Sequence, residues 1–180
     1  MTDKPDSVYF QALLEEYKTL RNDIQQRIQF RFQISGLLLI AMSVLFPLGL
    51  QGEAPSSMPL FIYPIIAMFL TLSWVHQGVI MIKLARYIRD EIETKLPGLT
   101  WEQTIKRESQ RFSGFGLLGT FAISGLIVIS QILAITLGWA VQEQSKGTES
   151  DSLAGLLQII AITATIITIV LLIVHGRMKR

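Results

Sequence analysis

The chain has 180 residues, half of them apolar, with 17% charged, no cysteine and a formal net charge of +2. Four stretches free of Asp, Glu, Lys and Arg, at 32–52, 54–82, 112–142 and 152–176, run for 21, 29, 31 and 25 residues; about 20 mostly apolar residues suffice to cross a ~30 Å hydrocarbon layer as a helix. This partition excludes a water-soluble globule and a disordered chain, and the lack of cysteine excludes a disulfide framework, a thiol nucleophile and a thiolate metal site.

Residues 1–31 are predicted to form an amphipathic helix. Asp6 and Ser7 can accept hydrogen bonds from the orphan amides of its first turn. Apolar residues then recur at Phe10, Leu13, Tyr17, Leu20, Ile24 and Ile28, with charges elsewhere around the wheel. The segment lacks the basic-then-apolar pattern and cleavage site of a signal peptide, so the first span is expected to act as an uncleaved anchor. That span, 32–50, follows with no intervening Pro or Gly. One continuous helix is therefore expected from about Ser7 to Phe46, stopping before Pro47. An outer loop, 51–57, leads to the second span, 58–82, with Pro59 or Pro64 in its first turn.

The apolar face of the second span continues through Leu84, Ile88, Ile92 and Leu96, while Lys83, Arg86, Arg89, Asp90 and Glu93 occupy the other faces. Segment 83–111 reads as a helical hairpin broken at Pro97 and Gly98. Thr100 and Gln103 fit a capping box for the second arm, which carries Trp101 and Ile105 and feeds through Arg111 into the third span, 112–141. A loop at 142–152, a fourth span at 153–176 and a tail at 177–180 complete an all-α, polytopic architecture. The stripes on the helical extensions must be buried against each other, a second subunit or a partner.

Fifteen of the 16 cations lie in 1–31, 83–111 and 177–180, and Lys146 alone lies in an outer loop. Lys and Arg in short loops are retained in the cytoplasm, so both termini are expected there. Ten acids accompany the fifteen cations, and no concentrated basic patch of the kind that tracks nucleic-acid phosphates results.

Residues for chemistry are few. His76 and His175 lack the spacing of a metal-binding pair, and no hydrolase or metalloprotease motif is present. No carboxylate lies within a span, which argues against a proton-driven transporter. No catalytic, cofactor-binding or metal-ligating residue is predicted, and the chain is read as a non-enzyme. A membrane-enzyme reading would rest on His76 and the cytoplasmic carboxylates alone. Counted inward from the charged flanks, His76, Gln77, Thr120 and Thr168 fall at one depth, with Gln131 and Gln158 nearer the outer side. These polar groups serve either as interhelical hydrogen bonds or as the lining of a pore. In the third span, Gly116, Gly119, Thr120, Ser124 and Gly125 offer small residues for close helix packing. At 31 residues, or about 46 Å of helix, that span must tilt, kink or emerge. Trp74 and Trp139 suit packing or interfacial positions, with Trp139 near the outer boundary.

The stretches EEYKTLRNDIQQRI (15–28), YPIIAMFL (63–70) and RYIRDEIETKLPGLTWE (86–102) resemble a family of small prokaryotic membrane proteins with four predicted spans. The resemblance covers most of 8–102 and is most specific at YIRDEIETKLPGLTWE. It implies a multi-pass protein of a bacterial plasma membrane with cytoplasmic termini, and it carries no activity. On these grounds the expected function is a homo-oligomeric membrane scaffold, whose cytoplasmic helical bundle binds its own kind or a cytosolic protein through Tyr17, Arg21, Arg89, Trp101 and Glu102. The alternative is an oligomeric passive channel or membrane-permeabilising effector lined by the His76, Gln77, Thr120 and Thr168 layer.

Overall fold

The computed structural model describes residues 4–51, 55–96, 100–111, 113–144 and 151–178; side chains of 4–7, 106, 108–111, 113–121 and 151–152 are left aside. The helices are α1 (Lys4–Leu50), α2 (Met58–Tyr87), α3 (Trp101–Arg111), α4 (Ser113–Gln144) and α5 (Asp151–Met178), with no strand among the described residues. α2 continues into a π-helical turn, Ile88–Ile92, closed by a bond from the Glu93 amide to the Ile88 carbonyl at 2.9 Å. Four helical stretches are long and apolar enough to cross a membrane: Val8–Leu50, Met58–Ile92, Ala122–Gln144 and Leu153–Met178.

At 47 residues, α1 measures about 70 Å, more than twice the ~30 Å hydrocarbon layer. Its limits differ from the sequence expectation at both ends. The helix already includes Lys4, so Asp6 and Ser7 lie inside it and not at its cap. It also runs through Pro47 to Leu50, because a proline near a helix end forfeits only one backbone bond, and the Gln51 amide still reaches the Pro47 carbonyl at 2.8 Å. α2 starts with a proline in its first turn, as expected, while Pro64 is buried within it. The break at Pro97 and Gly98 and most of both outer loops lie outside the described residues. The second arm of the hairpin and the third span are the separate helices α3 and α4, and Phe112 between them is likewise outside the description.

The span core gathers Leu38 and Phe46 of α1, Leu60, Tyr63 and Ala67 of α2, and Ile127, Ala134 and Val141 of α4. α2 is its centre, packing against α1, α4 and α5. Small residues set the approach of α4 to α2: a Cβ on Gly138 would meet Phe61 Cε1 at 2.7 Å, and such close contacts supply the dispersion that holds helices together in lipid. The small face expected elsewhere on α4 fares differently. A Cβ on Gly125 would meet open space, Ser124 is half-buried, and the positions Gly116, Gly119 and Thr120 fall outside the described side chains. Phe32, Ile40, Phe69, Ile129, Ile159 and Ile166 are turned outward, as befits helices surrounded by hydrocarbon.

A second core forms where the helices outrun the spans. Leu13 of α1 meets Ile88, Ile92 and Leu96, with Tyr17, Leu20 and Ile24 packed alongside. The two predicted stripes thus bury each other within one chain. The burial is incomplete: Phe10 and Ile28 are exposed, because the short stretch from Ile88 to Leu96 covers only the middle of the α1 stripe.

Candidate functional site

Among the described residues, three groups of polar side chains join the helices, and the first lies in the charged extension. Arg21 of α1 donates through Nη1 to Glu102 Oε1 of α3 at 2.8 Å. The Arg21 guanidinium carbon also stands 5.1 Å from the centre of the Trp101 ring and 6.0 Å from that of Tyr17, within cation–π range. Glu93, buried just after the π-helical turn, receives the Glu102 amide on Oε1 at 2.7 Å and the Gln103 amide on Oε2 at 3.2 Å. This carboxylate satisfies the orphan amides of α3 and sits favourably at the positive end of the helix dipole.

The capping box expected of Thr100 and Gln103 is therefore replaced by an acid from another element. Burial raises the Glu102 carboxyl above its ordinary value; Arg21 opposes the shift and neighbouring Glu93 adds to it. Arg89 binds Asp90 at 2.8 and 3.1 Å. Of the five residues expected to form an interaction surface, Tyr17, Arg21, Trp101 and Glu102 come together, with Arg89 on the neighbouring turn. Trp101 is the most outward, half of its surface being free.

The second group occupies the edge where the charged end meets the spans. Arg27 donates through Nε and Nη2 to Asp23 at 3.2 Å, and through Nη1 to Gln77 Oε1 at 2.8 Å. One turn deeper, the Arg31 guanidinium carbon lies 3.7 Å from the centre of the Trp74 ring. His175 of α5 is buried against the same indole, ring centres 5.5 Å apart at 72°. The three elements meet over Gly78, where a Cβ would come 2.6 Å from His175 Cε1 and 3.6 Å from the Arg31 guanidinium carbon. Any larger residue would push α2 away from α5.

The third group ties the spans together from within. Tyr63 donates to Ser130 Oγ at 2.8 Å, and Ser130 in turn donates to the Ile127 carbonyl at 3.0 Å. Gln131, wholly buried, donates to Thr168 Oγ1 at 3.3 Å, and Thr168 Oγ1 donates in turn to the Ala164 carbonyl at 2.9 Å.

Among the described residues, no hydrogen bond joins the members of the expected polar layer. His76 is exposed on the outer side of α2, because it lies two residues, or about 200° of helix, from each of the inward-facing Trp74 and Gly78. Gln77 bonds to Arg27, Thr168 bonds to Gln131, and Thr120 falls outside the described side chains. Sequence reasoning passed over Arg31 and Glu93. The last cation before the first span and a tryptophan four residues before a glycine were the available signals for the Arg31 site; nothing local marks Glu93 as the cap of a helix eight residues on. Among the described residues no group of three His, Asp or Glu side chains could hold a metal ion.

Comparison with family models, with curated proteins and with solved structures yields no match.

Proposed function

We propose that the chain is a non-enzymatic scaffold of a bacterial plasma membrane, with its charged extension and both termini in the cytoplasm. The extension mediates self-assembly or the binding of a cytosolic protein. The observation that carries this reading is the build of the extension. Long helices leave the apolar spans and acquire a core of their own, yet Val8, Tyr9, Phe10, Leu14, Trp101 and Ile105 remain exposed. Apolar surface outside the lipid is stabilised by a protein partner. Arg21, pinned by Glu102, supports one side of the Trp101 ring, which suits an aromatic anchor held ready for a partner.

The likeness of 15–28, 63–70 and 86–102 to small prokaryotic four-span proteins and the location of fifteen of 16 cations support the host and the orientation. A channel lined by the interior polar groups has less support, since Tyr63 is paired with Ser130 and the Gln131 amide nitrogen with Thr168. The test is a photo-crosslinking residue placed at Trp101 in the full chain, reconstituted in lipid vesicles with and without cytosolic proteins. The expected result is a specific crosslink to a second copy or to one soluble protein, absent when the same probe replaces lipid-facing Ile129. No protein crosslink from Trp101 contradicts the proposal.

A further inference from the structure

Arg27 and Arg31 lie one turn apart on α1, and both are half-buried, but their surroundings differ. Arg27 is supplied with acceptors by Asp23 and Gln77. Among the described residues, the Arg31 side chain has neither an ion pair nor a hydrogen bond, and its Nε is buried without an acceptor. Its guanidinium carbon lies over the face of Trp74, 3.7 Å from the ring centre.

The elements packed around it hold no spare carboxylate. α1 has no acid beyond Asp23, α2 has none before the turn carrying Asp90 and Glu91, and α5 has none after its first residue, Asp151. Asp90 is engaged by Arg89 and Glu91 by Lys95. Arg27, one turn away on the same helix, adds positive charge.

Gly78, where a Cβ would lie 3.6 Å from the Arg31 guanidinium carbon, is five residues inside Lys83, or about 7.5 Å along the helix. That depth is just below the charged flank of the spans. A guanidinium there, partly stripped of water, needs an anionic acceptor. With Nε buried, its terminal nitrogens remain to meet one. In a bilayer the acceptors within reach of an arginine at this depth are headgroup phosphates, and the guanidinium fork matches two phosphate oxygens.

We propose that Arg31, held flat by Trp74 and seated over Gly78, is a binding site for the phosphate of one phospholipid in the leaflet on the charged side. The site does not depend on the scaffold reading. Trp74 fixes the plane of the guanidinium, and Gly78 beside it lets His175 of α5 close the other side of the site, where a Cβ would come 2.6 Å from His175 Cε1.

The test uses the full chain in detergent, stripped of bulk lipid and titrated with phosphatidylglycerol while bound lipid is counted by native mass spectrometry. The wild type is expected to retain about one phospholipid per chain, and Arg31→Met to bind it about tenfold more weakly, equivalent to about 1.4 kcal/mol. Arg31→Lys, which keeps the charge and the fold but loses the fork, is expected to weaken binding as well. Diacylglycerol, which lacks the phosphate, is expected not to be retained. Thermal unfolding of Arg31→Lys checks that its helices are intact. Equal retention of diacylglycerol, or binding by Arg31→Met and Arg31→Lys indistinguishable from wild type, overturns the proposal. Displacement of the lipid by inorganic phosphate assigns the site to a free anion and overturns the lipid source.

Discussion

The spans and the charged extension are made from the same long helices, yet they place polar and apolar side chains in opposite ways. In α4, Ile129 points outward with two-thirds of its surface free, and Gln131, two residues on, is wholly buried. Where α2 leaves the spans, Ile88 and Ile92 are buried, while Asp90 and Glu91 between them are exposed. A polar group in hydrocarbon has no acceptor but another protein group, so Tyr63 and Gln131 turn inward and pair with Ser130 and Thr168, although His76 stands outward. In water an isoleucine gains by burial, so in the extension the order reverses. Each region is organised by its own solvent, and the Arg31 and Trp74 edge is where the two rules meet.

The sharpest way to break this contrast is a matched pair of truncations. Ile92→Ala in the extension is expected to cost about 2–5 kcal/mol, the range for large-to-small changes in a packed core, read as faster amide exchange over 13–24 and 88–96. Ile129→Ala on the lipid face is expected to leave thermal stability almost unchanged, and an equal loss at both sites would void the distinction. Next in size, Glu93→Ala removes the cap of α3, at about 0.5–2 kcal/mol. The amides of Glu102 and Gln103 are expected to lose their exchange protection while the spans keep theirs. Within the spans, Tyr63→Phe is expected to cost only about 0.6 kcal/mol, the usual worth of an interhelical hydrogen bond in a membrane, measured by unfolding in mixed micelles.

The smallest effect concerns pH. Burial raises the Glu102 carboxyl in the folded chain, so the folded state binds this proton more readily than the unfolded state. Its contribution therefore makes the extension more stable as pH falls from neutrality through the raised pKa towards the ordinary carboxylate value of 4.5. Glu102→Gln is expected to remove that slope from a pH series of thermal unfolding curves; an unchanged slope would show that the burial of Glu102 does not control it.

Much of this architecture was legible in the sequence, because span length and the period of an apolar stripe are set by the bilayer and by helix geometry. The charge-free stretches marked the spans, and Leu13, Ile88, Ile92 and Leu96 marked the second core. The limits of α1 were less legible: Pro47 looked like a stop, but so near the end of a helix it interrupts little. The candidate sites were only partly visible. Depth counting placed His76 level with Thr168, but depth does not state which way a side chain points, and His76 is turned outward. Arg21, Trp101 and Glu102 were picked out as a surface, while their mutual contacts depend on how α3 folds back onto α1. The Arg31, Trp74, Gly78 and His175 contacts join three helices, and no local spacing encodes such a meeting.

The claim that the extension is an assembly surface is tested most directly by counting subunits of the full chain in lipid vesicles by single-molecule photobleaching, for the wild type and for Trp101→Ser. Self-assembly through the extension predicts a multi-copy wild type and a shift of Trp101→Ser towards single copies, with the helical content of both unchanged. The same multi-copy distribution for both proteins would contradict an extension-driven assembly and move the contact to the spans.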